Sequence, residues 1–292
     1  MKVRARPTGD VPLSWNVGDV RVTRILEIEA GGMQFVIPDA TRENLRPIAW
    51  LAPHFLDGTG NALGSIHALV IESDGHRIVV DTCVGNDKRR PIPAWNMRSG
   101  RFLEDLHDAG FPPESIDTVL CTHMHLDHVG WNTRLEDRRW VPTFPNARYL
   151  FAKAEWEHWN GDHNPLHAGA MEDSVKPIFD AGLADLVETD HHVGPTVRLE
   201  PTPGHTPGHV SVHIESRGES AVITGDLMHH PCQFAHPEWG SSADWNTALA
   251  EQTRRAFIAR HADGPTLVIG THFAAPTAGR VVRDGEVWRL EV

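Results

Sequence analysis

Apolar residues in this chain come in short runs that end in polar side chains. "SIHALVIE" (65–72) and "HRIVVDT" (76–82) have the density of buried strands, and Ser73, Asp74 and Gly75 between them give a tight-turn signal, so the pair predicts a hairpin. "DTVLCT" (117–122), "ARYLFA" (147–152), "HVSVHIES" (209–216), "SAVITGD" (220–226) and "TLVIGTH" (266–272) are further strand candidates. Helical spacing occupies the intervals. In "SGRFLEDLHDAG" (99–110), Phe102, Leu103 and Leu106 share a face, Ser99 is the candidate N-cap and Gly110 the stop. "AKAEWEHW" (152–159), "MEDSVKPIFDAG" (171–182) and "ADWNTALAEQTRRAFIARHAD" (243–263) predict three more helices, with Pro177 kinking or dividing the second. "GRVVRDGEVWRL" (279–290) predicts a hairpin turning at Asp284 and Gly285. No stretch rich in Pro, Gly or Ser marks a boundary. The expectation is one α/β domain over 1–292, with surface excursions near 84–98 and 155–195 that wall a pocket.

Composition narrows the partners. With 292 residues and 40% hydrophobic content the chain can bury a sizeable core, and a formal charge of −12 disfavours nucleic acid and anionic membrane surfaces. No segment approaches the roughly 20 apolar residues that cross a bilayer, and "MKVRARPTGD" carries no apolar stretch, so the expected address is cytoplasmic. Cys83, Cys121 and Cys232 show no disulfide spacing, which fits a reducing compartment. Twenty histidines against one tyrosine point towards metal chemistry.

"CTHMHLDHVG" (121–130) concentrates that chemistry. His123 and His125, two apart at a strand end, project to one side, whereas Asp127 and His128 follow where the chain turns and suit a second ion better than the same tetrahedron. No cysteine pair lies near the cluster to complete a finger-like zinc site. Downstream, "PTPGHTPGHV" (201–210) offers His205 and His209, "TGDLMHH" (224–230) offers Asp226, His229 and His230, and "GTHFAAPTAG" (270–279) offers His272. One such residue is usually solvated surface; four segments with the same residue types, three of them after apolar strands, are not.

"THMHLDH" matches the HxHxDH signature of the metallo-β-lactamase superfamily, and "PGHTPGH", "TGD" and "GTH" follow in that family's order, so the chain resembles its members from His123 to His272. The resemblance implies a four-layer αββα sandwich of mixed sheets with helices outside. It implies a binuclear centre in which His123, His125 and His205 hold the first ion, Asp127, His128 and His272 the second, and Asp226 bridges them. Zinc is the first expectation, with manganese, iron or cobalt as alternatives. Two such ions about 3.5–4 Å apart lower the pKa of a shared water towards about 7, so a bridging hydroxide opens the substrate while Asp127 helps to orient it.

Within the family, "CTHMHLDHVGWN" and "GDLMHHPCQ" resemble the branch of acyl-homoserine lactonases, pyridoxolactone hydrolase and methyl parathion hydrolase. The lactonases place a tyrosine three residues after the bridging aspartate; here the position is His229, which resembles the methyl parathion hydrolase pattern and is a candidate hydrogen-bond donor to the substrate. The expected substrate is a small lactone or carboxylic ester, with organophosphate triesters and glyoxalase II-like thioesters as alternatives. Trp95, Trp131 and Phe234 are candidate pocket residues. His54, His209 and His230 are expected at the surface or in supporting roles, the run Lys88, Arg89, Arg90 in solvent, and a homo-oligomer is compatible with the sequence.

Overall fold

A computed structural model describes residues 3–4, 12–161 and 165–292. Most of the N-terminal stretch and residues 162–164 of the second excursion lie outside them. The chain divides into two compact units. One holds Met1–Ala5, Ile28–Ser65 and Asp190–Val292, the other Arg6–Glu27 and Ile66–Thr189.

The first sheet begins with β1 (Val3–Arg4), β2 (Ser14–Val17), β3 (Val20–Gly31), β4 (Leu63–Ser73), β5 (His76–Val80) and β6 (Thr118–Leu120). A separate hairpin, β7 (Thr133–Glu136) and β8 (Arg139–Pro142), precedes its last strands, β9 (Arg148–Ala152) and β10 (Ala184–Val187). The order is β1-β3-β4-β5-β6-β9-β10, with β2 also on β3. The β4–β5 hairpin forms as expected. Ser73 pairs with His76, leaving Asp74 (φ 52°) and Gly75 (φ 80°) as the left-handed pair that a two-residue turn needs. From β5 onward the pairings β5–β6, β6–β9 and β9–β10 are parallel, so these strands end at one edge. Asp81 and the segment 121–130 leave the sheet there. That is the edge where α/β sheets place ligands.

The second sheet runs β11 (Val197–Pro201), β12 (Val210–Ser216), β13 (Glu219–Ile223), β14 (Leu267–Ile269), β15 (Ala278–Asp284), β16 (Val287–Glu291). β11–β12 and β12–β13 are antiparallel and β13–β14 is parallel. Hence β11, β13 and β14 point the same way, and the turns carrying His205, Asp226 and His272 leave by one edge. Phe55, Phe234, Phe257, Phe273, Leu45, Val222 and Val268 belong to one buried cluster of this unit.

Helices fill the connections: α1 (Arg42–Leu45), α2 (Phe102–Asp108), α3 (Lys153–Trp159), α4 (Pro165–Ala170), α5 (Lys176–Asp180), α6 (Cys232–Ala235) and α7 (Thr247–His261). Two start later than expected. α2 opens at Phe102 with no side-chain cap, because Asn86 takes the Gly100 N–H (2.7 Å) and donates to the Gly100 carbonyl (2.8 Å), which ties that stretch to the preceding excursion and away from Ser99 capping. α7 opens at Thr247, where Asn246 Oδ1 accepts from Leu249 N at 3.1 Å. A π-helical turn, Met171–Val175, runs into α5, whose first turn holds Pro177. All three cysteines are buried free thiols.

Candidate metal centre

In the unit built on the first sheet, His123, His125 and His128 are buried and Asp127 is partly buried. The ring centroid of His123 lies 4.5 Å from that of His125 and 4.0 Å from that of His128. One carboxylate that the sequence reading passed over arranges this loop. Asp81, left-handed at φ 56°, accepts the Thr122 N–H (2.8 Å) and hydroxyl (2.9 Å) and faces His128 Nδ1 at 2.9 Å. Thr122 Oγ1 in turn lies 3.0 Å from His123 Nδ1. Both rings are thus held by Nδ1, which aims Nε2 outward. Gly130 is required where this loop passes the β5 turn: a Cβ there would stand 1.9 Å from the Val84 carbonyl oxygen.

The other unit uses the same device. His205 Nδ1 meets Asp244 Oδ1 at 2.9 Å and His272 Nδ1 meets the Ser65 carbonyl at 2.9 Å. Asp244 is itself fixed by the Ser241 N–H (2.9 Å) and stands 3.5 Å from the fully buried Arg254 guanidinium. The freed Nε2 atoms converge on one carboxylate: His272 Nε2 is 3.0 Å from Asp226 Oδ1, and His205 Nε2 and His229 Nε2 are 3.3 Å and 3.1 Å from Oδ2. His229 stacks parallel to His272 at 5.7 Å. Burial alone would lower the pKa of His205, but Asp226 and Asp244 on its two sides outweigh that and push it up to about 9. An imidazole between two carboxylates is a place for positive charge, supplied by a proton or a metal ion. Burial holds the His229 pKa below the ordinary histidine value, its Asp226 contact notwithstanding.

These side chains fit divalent ions. Metal-binding histidines characteristically have their second nitrogen held by a carboxylate or carbonyl. All seven candidate ligands belong to His/Asp groups able to hold a metal ion.

Other candidates fall elsewhere. His209 turns Nδ1 to Thr202 and accepts the Asp226 N–H at Nε2 (2.8 Å), so it positions the aspartate. His230 is engaged at both nitrogens, by the Phe55 carbonyl (2.8 Å) and the Cys232 N–H (3.1 Å), and His54 is exposed. Lys88 and Arg90 are buried, not solvated as expected: Arg90 makes a two-bond contact with Asp173 at 2.7 and 2.9 Å. Trp131 is buried with its indole N–H on Glu27 (2.8 Å) and its ring stacked on Phe102 (5.7 Å), Trp95 is also buried, and Phe234 sits in the core cluster.

Residues 62–272 match the metallo-beta-lactamase superfamily. Among curated relatives, an N-acyl homoserine lactonase of Bacillus cereus is 30% identical over 124 residues, a match spanning 42% of this chain and 42% of that protein. One from a Bacillus species is 29% identical over 123 residues, again 42% of each. Two solved structures share the fold. The hydrolase AbOPH aligns with a TM-score of 0.79 at 22% identity over 97% of this chain and 98% of that one. The dizinc quorum-quenching lactonase AidC aligns with 0.75 at 21% over 95% and 96%. The HxHxDH loop and the family match meet on the same residues, and the chain, with its mixed sheets and helices, belongs to the metallo-β-lactamase superfamily.

Proposed function

We propose that the chain is a binuclear metal-dependent hydrolase, working as a single catalytic domain, that opens a lactone or a carboxylic ester. The observation that supports this reading is the common design of the candidate ligand histidines: His123, His128, His205 and His272 each have Nδ1 held by an oxygen, so that Nε2 is the nitrogen that would meet an ion. His123, His125 and His205 would hold one ion, Asp127, His128 and His272 the other, and Asp226 both. Two divalent ions so held would supply a water-derived nucleophile at neutral pH and would polarise the substrate carbonyl. Zinc suits the all-His and Asp donor set, though manganese, iron and cobalt suit it too.

The remaining groups act on the substrate. Asp127 orients the attacking water through its carboxylate. His229 has one nitrogen on Asp226, while its buried Nδ1 has no hydrogen-bond partner among the described residues, which leaves the ring able to exchange a hydrogen bond with a substrate oxygen. The curated relatives named as lactonases support a lactone as first choice. The test is a rate screen of zinc-loaded protein on lactones, aryl esters, phosphotriesters, glutathione thioesters and β-lactams, with His123→Ala as control. Lactones or aryl esters lead if the reading is right. A lead for phosphotriesters or thioesters overturns the substrate, and an unimpaired His123→Ala overturns the mechanism.

A further inference from the structure

A fourth histidine ring lies against the first ligand loop. His167, on α4 within the second excursion, is 8% exposed, and its ring stacks on His125 with centroids 4.6 Å apart and planes 19° from parallel. Trp159 closes the group, 4.7 Å from His167 and 5.3 Å from His125, edge-on to the latter at 66°. Trp159 is itself pinned. Its indole N–H donates to Glu155 Oε2 (2.7 Å), and the same oxygen accepts the backbone N–H of Met124 (3.2 Å), the residue between His123 and His125. Glu155 is 1% exposed, so this carboxylate ties the aromatic wall and the ligand loop together inside the protein.

The segment behind His167 is anchored as firmly. The π-helical turn that follows α4 carries Asp173, whose carboxylate takes both Arg90 donors and stands 3.6 Å from Lys88 Nζ. Thr133 donates to the Asp173 carbonyl and accepts from Lys88 Nζ at 2.8 Å. Helical turns of this type are rare and recur at functional sites. Here the extra residue in the turn lets Asp173 reach two buried cations while α4 keeps His167 against His125.

We propose that His167 is a positioning residue for His125: its ring plane, backed by Trp159, restrains rotation of the His125 imidazole and so keeps its donor nitrogen aimed at a metal ion. This rests on the metal-centre reading above. An imidazole turns broadly about its terminal torsion, and a ring stacked flat against it opposes that rotation. The role needs a flat ring and not a nitrogen. That separates it from ligation and from proton transfer.

The experiment compares wild type with His167→Phe, His167→Ala, His167→Leu and His125→Ala. It reads zinc affinity by competition with a chromophoric chelator and the visible spectrum of the cobalt-loaded protein, after thermal melts of the metal-free forms. His167→Phe is expected to keep wild-type affinity and spectrum, while His167→Ala weakens one of the two ions by about tenfold or more and shifts the cobalt bands. If His167→Ala does not fold, His167→Leu, which fills the space without a plane, carries the comparison. The proposal is overturned if the ring-less variants match wild type, or if His167→Phe falls with them, since the nitrogen would then be what matters. Should His125→Ala retain both ions, the metal-centre reading itself fails. Should it lose one while every His167 variant is unaffected, only the positioning role fails.

Discussion

At the scale of single residues, the candidate ligands are legible in the sequence and the groups that hold them are not. His123, His125, Asp127, His128, His205, Asp226 and His272 announce themselves by residue type, by glycines beside them and by their place after apolar strands. Asp81 and Asp244 carry no such mark, because each meets its histidine 47 or 39 positions away and lone aspartates are common in loops. Their contribution is measurable. Asp244→Asn keeps the shape but removes the charge beside His205, and zinc affinity should fall by about 10–100-fold in chelator competition; unchanged affinity would show that Asp244 serves Arg254 and Ser241 alone. His229 is separable by exchange: with His229→Ala and His229→Tyr, kcat/KM on the preferred lactone or ester should drop in the first and recover at least in part in the second. Full activity in both would remove His229 from the reaction.

At the scale of elements, strands read well and helix starts less so. The β4–β5 hairpin was visible in Asp74-Gly75 because a two-residue turn has a narrow chemical requirement. α7 starts at Thr247 and not at Ala243, because Asp244 is drawn to His205 and Asn246 caps the helix. Asp and Asn favour caps and turns over helix interiors, so local chemistry and the His205 contact agree there. The buried cations of the first excursion were read as solvated because nothing near Lys88 and Arg90 in sequence reveals Asp173. Burial lowers the Lys88 pKa to about 7 even with Asp173 beside it. Asp173→Ala would leave both cations buried without their carboxylate and should cost about 3–5 kcal/mol of stability. A denaturant midpoint close to wild type would argue that water reaches this cluster.

At the scale of the whole molecule, acid should be destabilising for a reason that lies outside the metal ligands. No described helix is long and apolar enough to cross a membrane. His230 is neutral in the fold, with Nε2–H donating to Phe55 and Nδ1 accepting from Cys232, and burial pushes its pKa down to about 4. Unfolded, it titrates near 6.5. Between those values the unfolded chain binds a proton that the folded one does not, so the contribution is complete above about pH 6.5 and is lost as pH falls towards 4, by roughly 3 kcal/mol in all. Metal-free protein in chelator isolates the effect: His230→Asn should flatten the dependence of the unfolding midpoint between pH 7 and 5. An unaltered slope would place the acid sensitivity elsewhere.

The turn after β5 carries a further consequence, for engineering. Asp81 and Cys83 are both left-handed, at φ 56° and 55°, a conformation that costs a side-chain-bearing residue about 1–2 kcal/mol. At Asp81 the same residue supplies the carboxylate that orients His128 and, through Thr122, His123. Glycine at this position would gain backbone ease but leave the Thr122 N–H and hydroxyl and His128 Nδ1 without their acceptor, disarranging two histidines at once. Backbone ease and histidine placement compete here at one residue, and a thermostable variant of this protein is best sought with Asp81 held fixed.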